Sequence, residues 1–197
     1  MSSPTYIGTY AEACFIRAEV LFNQGNKGAA FNAYKKGIAA SIDGMNDKLK
    51  VWCREDANLE ACPSFSPMTQ TDIDNYLNNG IGTEENITLG KILTQKRLAL
   101  HFSMEIWNDM RRYDLIRSLF LGWGIPARYG VDATAQKNIP QGKQFRRWQQ
   151  CSHELNYNTA NLQAIGATVP GADTSIALWN AAEDVWTLPV WWDSAQN

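Results

Sequence analysis

From Ile87 to about Leu119 the chain runs ITLGKILTQKRLALHFSMEIWNDMRRYDLIRSL without a proline, and its only glycine there is Gly90, near the start. Proline removes a backbone donor and glycine weakens helix propensity, so a long stretch clear of both favours helix. Leu89, Ile92, Leu93, Leu100, Trp107, Met110 and Ile116 recur at helical spacing. Leu98, Phe102, Ile106 and Tyr113 widen the stripe to most of the circumference. A helix apolar nearly all round is buried on several sides, with other segments leaning on it. The pattern predicts one long spine helix over 87–120, capped by Asn86 and roughly 50 Å long if unbroken. His101, mid-spine on an apolar stretch, reads as a packed core histidine.

The chain before the spine predicts a helical hairpin over 9–41. Cys14, Ala18, Leu21 and Phe22 line one face of its first helix, and Ala30, Phe31, Ala33, Tyr34 and Ile38 line one face of its second. Gly25 ends the first helix in the left-handed conformation that suits glycine. The spacing of Ala18, Leu21, Ala30 and Tyr34 fits a tetratricopeptide hairpin, and equally a generic one. Residues 42–86 are polar and broken by Pro63 and Pro67, which predicts a loop insertion containing one short helix near Thr71–Leu77, capped by a threonine. Beyond the spine, Gly122, Gly124 and Pro126 stop the helix, and 121–197 shows no long period of either kind. The expected architecture is mainly α in a single region, 1–197: a tetratricopeptide-like hairpin, a long spine helix and a loop-rich closing segment.

Charge narrows the partners. A net charge of -2 gives no electrostatic reason to bind nucleic acid, and Arg111-Arg112 and Arg146-Arg147 are pairs rather than a basic face. No run of about 20 apolar residues is present to span a membrane. Catalytic patterns are weak: no nucleophile is fixed near His101 or His153 by a recognisable motif, and Glu84-Glu85 is accounted for by the preference of carboxylates for a helix N-terminus. Neither a metal set nor a cofactor motif stands out, so the chain reads as a non-enzyme.

The wording of three segments is more specific. QKRLALHFSMEIWNDMRRYD resembles the "QK…AL…E.W.D.RR" segment of the SusD/RagB family through Gln95, Lys96, Leu100, Glu105, Trp107, Asp109, Arg111 and Arg112. YAEACFIRAEVLFNQGN with the following AY.KGI resembles the last helical repeat of the same proteins. QFRRWQQCSHELNYN, through Arg146, Glu154, Asn156 and Asn158, is similar to their "R..P..E...N" segment, and Pro189, Trp191, Trp192 and Asp193 to their "plWWD" terminus. Those proteins are surface nutrient-binding lipoproteins of Bacteroidetes that partner TonB-dependent outer-membrane transporters. The resemblance implies outer-membrane, cell-surface binding of oligosaccharides for delivery to a SusC-like transporter, by what looks like the C-terminal part of a chain more than twice as long. A tetratricopeptide-type scaffold for a peptide or protein partner is the alternative.

Glu105, Trp107, Asp109, Arg111 and Arg112 read as structural. Asp109 and Arg112 are an i,i+3 pair, an arginine beside Trp107 can stack on the indole, and both arginines are placed to clamp loops onto the spine; a solvated charge pair is the competing reading. For an exported protein, Cys53 and Cys62 are the candidate disulfide, with metal binding the weaker option. Trp52, Trp123, Tyr129, Trp148 and Trp179 fall in predicted loops and can stack on sugar C–H faces, against core packing as the bland option. Finally, Phe15 and Ile16 on the outer face of the first helix would lack a preceding repeat, which predicts self-association through the uncapped hairpin.

Overall fold

The computed structural model describes residues 7–54, 66–101, 103–124, 146–147 and 151–166. Helices follow one another with no strand among the described residues, so the mainly-α expectation holds. The chain divides into two compact units: Met1–Trp107 with Ser118–Leu121, and Asn108–Arg117 with Gly122–Asn197.

The first unit is built on a hairpin of α1 (Tyr10–Asn23) and α2 (Lys27–Trp52). Thr9 caps α1 by accepting from Glu12 N–H at 3.1 Å. The turn closes as the sequence predicts: Gly25 sits at φ +79, its N–H donates to Phe22 O and the Asn26 N–H to Leu21 O, each at 2.9 Å. This crossed pair satisfies two carbonyls that the helix end leaves open. Asn26 then caps α2 at Ala29 N–H. Ala18 and Ala30 are fully buried, and their small side chains let the helices approach. Phe15 lies fully buried, edge-on to Tyr34 with ring centroids 6.3 Å apart. A Cβ on Gly37 would stand 3.1 Å from that ring, so the bare glycine makes its seat.

Phe15 is therefore core, and the expectation that it lies on an orphaned outer face is corrected. Only Ile16 of that pair is exposed. The ring points into the hairpin because Gly37 and Tyr34 leave a slot for it.

α2 also outruns its expected end near 41 and continues to Trp52. Polar composition there marks a solvated helix face rather than a loop: the half-buried positions Ser41, Ile42, Asn46, Leu49, Trp52 and Cys53 recur at helical spacing. Lys50 and Asp47 pair across one turn at 3.2 Å. The chain returns at Met68, whose N–H and C=O are both held by the Asn46 side-chain amide, at 2.9 and 3.0 Å. Thr69, rather than Thr71, caps α3 (Gln70–Asn75) in a reciprocal capping box with Asp72. A π-helical turn, Tyr76–Gly80, follows.

The spine is two helices, not one. α4 (Leu89–Ala99) packs on both α1 and α2 through the buried Ile92 and Leu93. Thr88 caps it, not Asn86; the Asn86 side chain instead accepts from Thr83 N–H and from Lys91 Nζ. The helix stops at Leu100, and Ser103 donates its N–H to Leu100 O at 2.8 Å. The Ser103 hydroxyl accepts from Glu105 N–H at 3.2 Å, opening α5 (Met104–Arg112). A serine that offers the backbone an alternative partner breaks a helix that proline and glycine do not. His101 falls in this break and is exposed, which corrects its core assignment. The returning segment 118–121 lies on α4: Arg97 donates to Leu121 O at 2.7 Å, and Leu121 N–H donates to Thr94 Oγ1 at 2.9 Å. A Cβ on Gly90 would meet Ser118 O at 2.9 Å.

In the second unit the end of α5 buries Asp109 and Met110. Past Tyr113 the backbone takes a positive φ twice, at Asp114 (51°) and Leu115 (57°), a costly pair for non-glycine residues. Two helices, α6 (Ser152–Tyr157) and α7 (Thr159–Gly166), pack together, and Leu162 is buried.

Candidate functional site

The first unit carries one pocket of substance among the described residues, with a volume of about 280 Å³. Three elements bring its walls together. α2 supplies Ile38, Ser41 and Ile42, α4 supplies Gln95, Leu98 and Ala99, and the segment held by Asn46 supplies Met68 and Tyr76, over a floor of Phe15. Each arrives there for a local reason. Asn46 fixes Met68 by two hydrogen bonds. The π-turn widens the backbone at Tyr76, a feature often found where a helix serves function. Gly80 clears the space beside it, since a Cβ there would lie 2.5 Å from the Tyr76 ring. Gln95 Nε2 donates to Tyr76 Oη at 2.9 Å and sets the phenol against α4.

The wall is mostly carbon. Leu98, Met68 and Tyr76 stay substantially exposed at 55, 43 and 36 %. No Asp, Glu, Lys, Arg or His lines the pocket among the described residues. In the same core, burial and the neighbouring Tyr76 push the Tyr34 phenol up to about 12. The pocket can take a neutral group with an apolar face.

In the second unit the charged residues of the RRYD segment form a clamp. Arg112 Nη2 meets Asp109 Oδ1 at 2.9 Å, and the Arg112 guanidinium stands 4.4 Å from the Tyr113 ring centroid. Arg111 Nη2 donates to Arg146 O at 2.7 Å, while the Arg146 guanidinium pairs with Asp114. Arg146 is thereby held at both its backbone and its side chain. Glu154 accepts from Asn158 Nδ2 at 2.7 Å inside α6–α7, and His153 stacks on Tyr157 with centroids 4.8 Å apart. Asp109–Arg112 and Asp114–Arg146 are opposite-charge pairs, while Arg111 and Glu154 meet neutral groups.

Of the five aromatic residues expected to stack on ligand, the two that are described, Trp52 and Trp123, do not line the pocket. Trp52 ends α2 instead of lying in a loop, and Trp123 is half-buried in the second unit. Tyr129, Trp148 and Trp179 lie outside the described residues, as does the Trp191-Trp192 segment. Cys53 is disulfide-bonded, while Cys14 and Cys151 carry free thiols; Cys62, its expected partner, also lies outside the described residues. Glu105 is exposed and Trp107 half-buried on α5. No cluster of His, Cys, Asp and Glu fit for a metal occurs among the described residues.

Sequence reasoning passed over the pocket because its residues come from three segments, one of them read as loop. The signal that was present is Gln95, quoted for its position in a motif and here turned toward Tyr76. Glu84 stands at the N-terminus of α2. Its carboxylate lies beside the first turn of α2, where a Cβ on Gly28 would stand 2.6 Å from Oε1. The expected reason, attraction to a helix N-terminus, fits that placement.

A family model described as SusD-like, the SusD and RagB outer membrane lipoproteins, matches residues 1–193. No curated protein and no solved structure matches. No helix among the described residues is long and apolar enough to cross a membrane.

Proposed function

The chain belongs to the SusD-like family of outer membrane lipoproteins, and from that premise we propose that it binds nutrient oligosaccharides at the cell surface and delivers them, unaltered, to a TonB-dependent transporter of the SusC type. The observation that carries this reading is the family match across residues 1–193. The family is one of binding lipoproteins, which supports a non-catalytic role. Trp52 and Trp123, both partly exposed, are the described residues proposed to stack on sugar faces. Cys53 and Cys62 are proposed as the disulfide pair.

The reading is tested with the purified chain on a panel of oligosaccharides by calorimetry, each mixture then checked for turnover. Binding without a new reducing end is the expected result. Release of product would replace binding with hydrolysis, and silence across the panel would remove the glycan. A second reading, a tetratricopeptide-type scaffold for a peptide or protein partner, is favoured by the α1–α2 hairpin with Ala18 and Ala30 fully buried at its crossing. It gains if the panel is silent and the chain co-purifies with a partner protein instead.

A further inference from the structure

The pocket of the first unit is poorly made for a bare sugar ring. A pyranose or furanose presents a hydroxyl on nearly every carbon, and burying those groups without partners is costly. Among the described residues the wall offers the Ser41 hydroxyl, the Tyr76 phenol and the Gln95 amide as side-chain partners, and the last two are already bonded to each other at 2.9 Å. The other described lining residues are Ile38, Ile42, Met68, Leu98, Ala99 and the Phe15 floor. No charged side chain is among the described residues of the wall, so these residues offer an ionic ligand no partner and suit a neutral one. At about 280 Å³ the volume falls near the lower end of the range for small-molecule sites, about 300–1,000 Å³, enough for one ring or a short branched chain.

Resting on the glycan reading above, we infer that this pocket takes the apolar decoration of a substituted oligosaccharide, an aryl or alkyl acyl group esterified to a sugar hydroxyl, and leaves the sugar itself outside. Leu98, Met68 and Tyr76, the exposed residues of the rim, close on the acyl chain or ring. The free Oε1 side of the Gln95 amide and the Tyr76 hydroxyl stand at the mouth to meet the polar group by which the decoration is attached. The ligand class is thus an acylated glycan, discriminated from its unsubstituted backbone by carbon contact rather than by hydroxyl recognition.

Three probes separate this inference from the reading beneath it: a feruloylated oligosaccharide, its saponified counterpart and methyl ferulate, titrated into the whole chain. The feruloylated oligosaccharide is expected to bind at least tenfold more tightly than the saponified one, with methyl ferulate moving the Leu98 and Met68 methyl signals in NMR spectra. Leu98→Glu, at a position 55 % exposed, places a charge at the rim and should erase the tenfold preference. Met68→Lys serves as the second variant should the first fail to fold. Equal affinity for both oligosaccharides, indifferent to either variant, overturns the inference and leaves the glycan reading standing. Methyl ferulate bound with neither oligosaccharide bound overturns the glycan reading, and the inference falls with it.

Discussion

In the unit built on α1, α2 and α4, the residues sealed from solvent are mainly carbon: Phe15, Ala18, Tyr34, Ile38 and Ile92 form one cluster, joined by Ile73, Leu77, Ile81 and Ile87. In the unit containing Asn108–Arg117, the described contacts of long sequence reach are polar, Arg111 to the Arg146 carbonyl and Arg146 to Asp114. The first is held by area removed from water, which does not depend on direction. Those two contacts of the second are hydrogen bonds, which are specific in geometry and modest in net energy. Apolar packing can therefore be read from periodicity, whereas a guanidinium aimed at a distant carbonyl cannot. The two αL residues at Asp114 and Leu115 point the same way, because only the surrounding contacts keep such a turn in place.

The sharpest way to break the first unit is Phe15→Ala. A fully buried ring over Gly37 should cost about 3–5 kcal/mol, seen as a lower midpoint in urea. Phe15→Lys, placed to interrupt self-association, should unfold the hairpin instead. Its counterpart in the second unit is Arg111→Met, which leaves the Arg146 carbonyl without its charged donor. The expected loss is about 1.5–3 kcal/mol, and hydrogen exchange should show it in residues 108–117 while the amides of α1 and α2 keep their protection. Equal deprotection of both would mean that the two units unfold as one.

Gly90→Ala is intermediate. The added methyl meets the Ser118 carbonyl oxygen at 2.9 Å, so overpacking of about 1–3 kcal/mol works against about 1 kcal/mol of helix propensity. A net loss in thermal stability, with faster exchange at Leu121 N–H, is expected. Tyr34 tests the same core by pH. Its phenol is raised to about 12 by burial and by Tyr76, so the folded state keeps a proton that the unfolded chain gives up near 10. Stability is full below pH 10 and falls between 10 and 12, and Tyr34→Phe should flatten that limb of the urea midpoint against pH. Gly28→Ala has the smallest effect. Its methyl meets only the mobile carboxylate of Glu84, so the change should be neutral or stabilising by at most about 1 kcal/mol.

The hairpin was legible because its signals are local and agree: Gly25 at the turn, small residues at the crossing, and an apolar face on each helix. The break at Leu100–Ser103 was not, since nothing between Leu98 and Trp107 is a strong breaker. Only Ser103 ahead of Glu105 marks a new helix start, and hydroxyls are common inside helices too. α2 was cut short for the opposite reason: a polar run was read as a loop when it is one solvated side of a helix. Phe15 was misplaced because a single helix shows which residues are apolar but not which of two faces its neighbours cover. The pocket required three separate segments to meet, with Tyr76 delivered by a π-turn that no pattern in the sequence announces.

The amide of Asn46 accepts from one backbone group of Met68 and donates to the other, as a neighbouring peptide unit would in a sheet. The chain leaving α2 is thus received again at a fixed point, 22 residues on. One side chain sets where the segment carrying Tyr76 begins, so Asn46→Ala should loosen that segment while the α1–α2 pairing, built on carbon, stays as it is.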